Sequence, residues 1–202
     1  WAKLYRKSFL DSNKIEFGDY RYAEDKIYNY FCYIAGARYA FIDKKIYVYR
    51  RNEQSVSNTY RKDGDKDWMR IAQDLQDKID SLNYEKKQYS QDEIENYESI
   101  VAWTIYFAAF FDGKMEYEYS TGKIRAVINL LKRYASYDLT KKYLKNPLRY
   151  TKKIPALSYK IMLGGFAFLM KCNMYLLLSL GIKLLVDCHI DERLSDTGRK
   201  ED

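Results

Sequence analysis

A chain of 202 residues with 47% hydrophobic content is long enough to bury a core and too apolar to be a disordered segment. Two prolines and nine glycines leave room for long regular elements, so helix is expected to dominate. Net charge is +7, and the three cysteines (Cys32, Cys172, Cys188) stand at no metal-ligand or redox spacing, so they read as reduced, packed thiols. With no signal peptide in view, they favour the cytosolic side of a membrane. The chain opens on Trp1, not on methionine, and its natural start is expected upstream.

In chain order, the first ~60 residues mix strand and helix signals. A helix is expected from Glu24, with Ile27, Phe31 and Ile34 at helical spacing and Gly36 closing the pattern. Glu24 and Asp25 open it. On spacing alone they are first-turn acids facing the positive end of the helix dipole, a contribution of ~0.3–1 kcal/mol. The β-branched and aromatic runs "RYAFI" and "IYVYR" then flank a polar turn at Asp43, Lys44 and Lys45, which suggests a hairpin with Ile46, Val48 and Arg50 on one face. "RNEQSVSNT" has no apolar period and reads as a loop.

Beyond Arg61 the pattern is helical throughout. Trp68, Ile71, Ala72, Leu75, Ile79 and Leu82 form one stripe. Ile94, Tyr97, Val101, Ile105 and Ala108 form a second, and Ile124, Val127, Ile128 and Leu131 a third. "IVAWTIYFAAFF" is too short to cross a bilayer and reads as a helix buried on most sides. Asn146-Pro147 and Ile154-Pro155 punctuate the entry to a basic tail, His189 reads as structural, and "DERLSDTGRKED" closes the chain in residues expected to fray.

Charge is unevenly distributed. Between Leu139 and Val186 lie nine basic residues and no acid, while the rest of the chain carries 26 basic and 28 acidic residues. The same stretch holds "IMLGGFAFLM" and "CNMYLLLSLGI", each short of the about 20 apolar residues that a spanning helix needs. Two readings stay open. One is an interfacial helix whose lysines reach anionic headgroups, at ~1 kcal/mol each. The other is a buried terminal helix with a solvated basic rim. Nucleic acid is disfavoured as a partner, because the basic residues interleave with long aliphatics and no recognition motif is present.

The ordered set "WAKLYRKSFL", "IEF", "YAEDKIYNYF" and "ARYAFIDKKIYVYRRNEQSVSNT", over Trp1 to Thr59, resembles the second half of the catalytic domain of family 2 glycosyltransferases, which build bacterial capsule, lipopolysaccharide and other surface glycans. The resemblance implies an α+β, mainly helical chain. Residues 1–60 would be the acceptor-side remnant of a GT-A (nucleotide-diphospho-sugar transferase) mixed sheet, followed by a helical domain over 61–138 and a basic amphipathic tail over 139–202. The family's "ED" matches Glu24 and Asp25. Inverting transfer needs a carboxylate to take the acceptor hydroxyl proton, a role that falls to Asp25, with Glu24 orienting the acceptor or the base. Arg50, Arg51 and Ser55 would hold the donor pyrophosphate, and Trp1 would stack on the acceptor or else pack as core.

The family's nucleotide-binding half, with its Asp-x-Asp metal pair, is not visible here. "DGD" at Asp63 to Asp65 lies in a charged linker and does not qualify. A divalent metal (Mg or Mn) is therefore expected in the full-length enzyme, on ligands outside this chain, and the fragment alone is expected to be inactive. The implied partners are a nucleotide-sugar donor, a glycan or lipid-linked acceptor and an anionic membrane surface, with a cytoplasmic location peripheral to the inner face of the cell membrane. The alternative is a non-enzymatic basic helical module that scaffolds partners at that surface.

Overall fold

The computed structural model describes residues 3–21, 23–44, 47–48, 60–84 and 89–188. Among them every regular element is a helix: α1 (Lys7–Ser12), α2 (Glu24–Ile34), α3 (Gly64–Tyr84), α4 (Gln91–Tyr119), α5 (Lys123–Ser136), α6 (Asp138–Leu144), α7 (Pro147–Thr151), α8 (Leu157–Lys171) and α9 (Tyr175–Asp187). The mainly helical expectation holds, but no strand forms among the described residues. Residues 38–44 and 47–48 of the expected hairpin have no ladder, and the remainder of the hairpin and the 51–59 loop lie outside the described residues.

Helix α4 is the axis on which the others pack. It starts with a capping box, in which the Glu93 amide donates to Ser90 Oγ (3.2 Å) and the Ser90 amide donates to Glu93 Oε2 (2.8 Å), so two orphan donors are satisfied reciprocally. Ile100, Val101, Ala102, Ile105, Tyr106, Ala108 and Ala109 are all buried, as the apolar run suggested. Against them lie Ile71, Ala72, Leu75 and Ile79 of α3, and Val127, Leu130 and Leu131 of α5. The same hydrophobic core continues through Tyr143 of α6, Tyr150 of α7, Phe166 and Met170 of α8, and Leu178 and Ile182 of α9. Helices on either side of residue 138 therefore share one core.

Tyrosine hydroxyls explain part of the 22-tyrosine load, because four of the buried rings find an acceptor at their polar end. Tyr106 donates to the Tyr143 carbonyl (2.9 Å), Tyr143 to Gln76 Oε1 (2.5 Å), Tyr134 to Asp112 Oδ2 (2.5 Å) and Tyr117 to Asp187 Oδ1 (3.0 Å). Burial pushes the Tyr106 and Tyr143 hydroxyls well above the ordinary phenol range, so both remain donors.

Helix α2 bridges two clusters. Ile27 and Ile34 enter the main core, while Tyr28 and Cys32 join Ile15 in a smaller one, where Phe17 stacks on Tyr28 with centroids 4.0 Å apart. The segment before α2 is tied to α3, since the Tyr20 hydroxyl donates to Asp74 (2.8 Å) and the Arg70 guanidinium lies over the Tyr20 ring and donates to the Asp19 carbonyl. Of the three thiols only Cys32 is packed as expected. Cys172 and Cys188 sit in the residue after α8 and after α9, where the helix ends leave them exposed.

Candidate functional site

Two clefts meet along one face of α2. Helical spacing builds that face, because Lys26, Asn29, Tyr30 and Tyr33 fall within one stripe of α2, and Asn96, Ile100, Trp103 and Phe107 repeat the pattern on α4. The first cleft, about 230 Å³, is apolar, with Ile27, Trp68, Ile71, Phe107, Ile154 and Leu163 in its walls. The second is broader, about 700 Å³, within the usual range of ligand pockets. Its rings come from Tyr30, Tyr33, Tyr39, Phe41 and Trp103, its amides from Asn29 and Asn96, and its ammonium groups from Lys3, Lys26 and Lys153. Lys26, Tyr30 and Trp103 border both clefts.

The shared walls are held in place. Trp103 spends its indole N–H on the Tyr150 carbonyl (2.9 Å), which fixes the ring against α7. The Lys26 ammonium lies 5.3 Å from the Phe107 ring centroid, a cation–π distance, and no carboxylate among the described residues is within ion-pair reach of it. Ala23, which also lines the apolar cleft, enters α2 with φ 59, a left-handed conformation that costs a non-glycine residue roughly 1–2 kcal/mol. Such strain is concentrated at functional sites.

Behind the apolar cleft lies a polar network at the start of α3. Trp68 hydrogen-bonds Asp112, which also accepts from Tyr134. Asp112 presses so closely on Gly64 that a Cβ there would stand 3.0 Å from its Oδ2, which accounts for glycine at the first position of α3. Burial, reinforced by the charges of Asp65 and Glu116, pushes the Asp112 carboxyl up to about 7 against the opposing pull of the Tyr134 and Trp68 hydrogen bonds. Asp65, itself buried, is neutralised by Arg133 (3.2 Å) and accepts from the Tyr137 hydroxyl (3.0 Å). Burial and then Asp65 push that hydroxyl up to about 12.

Glu24 and Asp25 occupy the first turn of α2, as the sequence suggested. Glu24 is exposed and Asp25 is half-buried, with the Asp25 carbonyl accepting from Asn29 Nδ2 (2.5 Å). Their neighbours Ala23 and Lys26 line the apolar cleft, and the two acids do not. Trp1, Arg50, Arg51, Ser55 and His189 lie outside the described residues. No group of three or more potential metal-ligating side chains occurs among the described residues.

The basic stretch is not acid-free in space. Acids in the first third of α4 reach across to it: Asp92 pairs with Lys153 (2.5 Å), Glu95 with Lys152 (3.0 Å) and Arg149 (3.4 Å), and Glu98 with Lys142 (3.7 Å). Lys153 and Lys152 hold the carboxyls of Asp92 and Glu95 below their ordinary values. Lys141 pairs with Asp138 (2.8 Å), and Lys183 with Asp187. Lys145, Lys160 and Lys171 have no carboxylate partner among the described residues, and the Lys171 ammonium donates to the Lys145 carbonyl (2.8 Å).

The two apolar runs form α8 and α9, each buried on one face and open on the other. On α8 the exposed stripe is Leu157, Ile161 and Phe168, and on α9 it is Leu176, Leu177, Leu180 and Leu184, with Leu176 and Leu184 both 59% exposed. No described helix is long and apolar enough to cross a membrane. Comparison with protein-family models, with curated proteins and with solved structures finds no match.

Sequence reasoning treated α4 as core and missed Trp103, Phe107 and Lys26. The available signal was a second aromatic stripe at helical spacing, beyond the residues that the core stripe of α4 requires.

Proposed function

We propose that this chain is the acceptor-side half of an inverting family 2 glycosyltransferase, acting on a surface glycan at the cytoplasmic face of a membrane. The observation that supports the enzymatic half is the exposure of the strand-type segments. Tyr39, Phe41, Ile42 and Val48 are exposed, Phe41 at 94% and Val48 at 85%, and residues 38–44 form no strand. Exposed apolar and β-branched runs are open to pairing with strands that a companion half would supply. In this reading Asp25 takes the proton of the acceptor hydroxyl, Glu24 orients it, Arg50, Arg51 and Ser55 hold the leaving diphosphate, and Trp1 contacts the acceptor. The nucleotide sugar and the divalent metal belong to the companion half.

The test is turnover in the chain that carries both halves. Asp25→Asn keeps the shape of the carboxylate and should lower kcat ~10²–10⁴-fold with donor affinity little changed. Unchanged turnover would remove Asp25 from the chemistry.

The peripheral location rests on the open faces of α8 and α9, which would enter the acyl boundary with Lys145, Lys160 and Lys171 at the headgroups. Sedimentation with anionic and neutral vesicles at low and high salt measures it, and full recovery in the supernatant under all four conditions would reject it.

A second reading, a non-enzymatic module that scaffolds partners at that membrane face, is favoured by the position of Glu24 and Asp25 outside both cleft linings. The Asp25→Asn measurement separates the two.

A further inference from the structure

The geometry points to the paired clefts of α2, α4 and α8 as a binding site for a single-chain lipid phosphate, with the chain in the apolar cleft and the phosphate on Lys26. Three features converge on this ligand chemistry. The apolar cleft is walled by Ile27, Ile71, Phe107 and Leu163, so it suits a hydrocarbon chain and offers little to a sugar or a nucleotide. At its junction with the broader cleft stands Lys26, a cation held over Phe107 and with no carboxylate partner among the described residues. Its charge calls for an anion where the chain ends. Beyond it the aromatic and amide lining of the broader cleft, Tyr30, Tyr33, Trp103, Asn29 and Asn96, suits a polar group carried on that anion, since rings stack on sugar faces and amides bond hydroxyls.

The position of the site fits delivery from a bilayer. Tyr159 of α8 lines the apolar cleft while remaining 57% exposed, and two residues away on either side Leu157 and Ile161 belong to the open stripe of the same helix. A chain drawn from the acyl boundary would therefore meet the cleft at its α8 rim. The other ammonium groups are secondary, since Lys153 is engaged by Asp92. The site does not depend on sugar transfer, and its failure would leave the glycosyltransferase reading untouched.

The test uses octyl phosphate below its micellar concentration, with octanol and inorganic phosphate as the chain-only and anion-only probes. Trp68 and Trp103 line the apolar cleft, so tryptophan fluorescence reports binding. Octyl phosphate is expected to bind at least tenfold more tightly than either control. Lys26→Gln, an exposed position where folding is not at stake, should weaken octyl phosphate about tenfold and leave octanol unchanged. Thr104→Phe, which fills the apolar cleft from α4, should weaken octyl phosphate and octanol alike. Equal affinity for octyl phosphate and octanol would reduce the site to a nonspecific apolar cleft, and equal affinity for octyl phosphate and inorganic phosphate would reduce it to an anion site. Either result, or an unaffected Lys26→Gln variant, overturns the assignment.

Discussion

Replacing Asp112 by asparagine should make the protein more stable at neutral pH and remove most of the pH dependence of its stability between about 5 and 7. The carboxyl is held by Tyr134 and Trp68 beside the start of α3, with Asp65 and Glu116 adding negative charge and Arg133 engaged by Asp65. Its ordinary value of 3.8 is raised to about 7, so the folded chain keeps a proton that the unfolded chain has already released across this window. Stability then falls as pH rises from the unfolded value to the folded one, because the native state binds more protons there. A carboxyl raised from 3.8 to about 7 corresponds to at most about 4 kcal/mol, and about 2 kcal/mol is expected once water reaching a half-buried group is allowed for. The paired carboxyls of Asp92, Glu95 and Asp187 have lowered values, so their opposite contribution is already complete above about pH 5. Urea unfolding of the wild type and of Asp112→Asn at half-unit steps from pH 5 to 8 measures the effect. Parallel stability curves for the two proteins would show that Asp112 is ionised throughout and that the network at the base of the apolar cleft is not the one described.

Ser90→Ala should cost about 1 kcal/mol in the same urea assay, because it removes the side-chain half of the α4 capping box, and a change below ~0.3 kcal/mol would mean that the box is made only transiently. Replacing Asp92, Glu95 and Glu98 together by glutamine should strengthen binding to anionic vesicles by ~1 kcal/mol for each cation released near the surface and steepen its salt dependence. Unchanged sedimentation of that variant would place the Lys142 to Lys153 segment away from the lipid.

The helical elements were legible because their apolar positions recur at 3.6 residues. Trp68 to Leu82 on α3 and Tyr97 to Ala108 on α4 are buried where the stripes placed them, and Gly36, at φ 82, stands just past the end of α2 where the pattern stopped. The runs at 38–42 and 46–50 were read as strands for an equally physical reason, their β-branched and aromatic content. A strand, however, is stabilised by its partner across the ladder, and a local pattern cannot supply that partner. The clefts were hidden differently. Trp103 and Phe107 lie in a run apolar enough to be all core, and only the approach of α2 and α8 decides which of its faces remains open.

Charge was the least legible property, and the same cause reaches furthest into function. A count along the chain between Leu139 and Val186 finds nine bases and no acid, yet four of those bases face Asp92, Glu95 and Glu98, which lie some 50 residues earlier on α4. Their partners could not be found by periodicity, because the ion pairs join elements whose adjacency is set by packing. The consequence is a division of labour within the stretch. Arg149, Lys152 and Lys153 tie α7 and the segment after it to α4, so they act in positioning the Tyr150 carbonyl that fixes Trp103. The cations left without carboxylate partners, Lys145, Lys160 and Lys171, are the ones set beside or within the helix whose apolar stripe is open. An anionic surface would therefore be met by few charges and much hydrocarbon, which predicts vesicle binding with a shallow salt dependence and a large salt-resistant part, the reverse of what the raw count of nine bases implies.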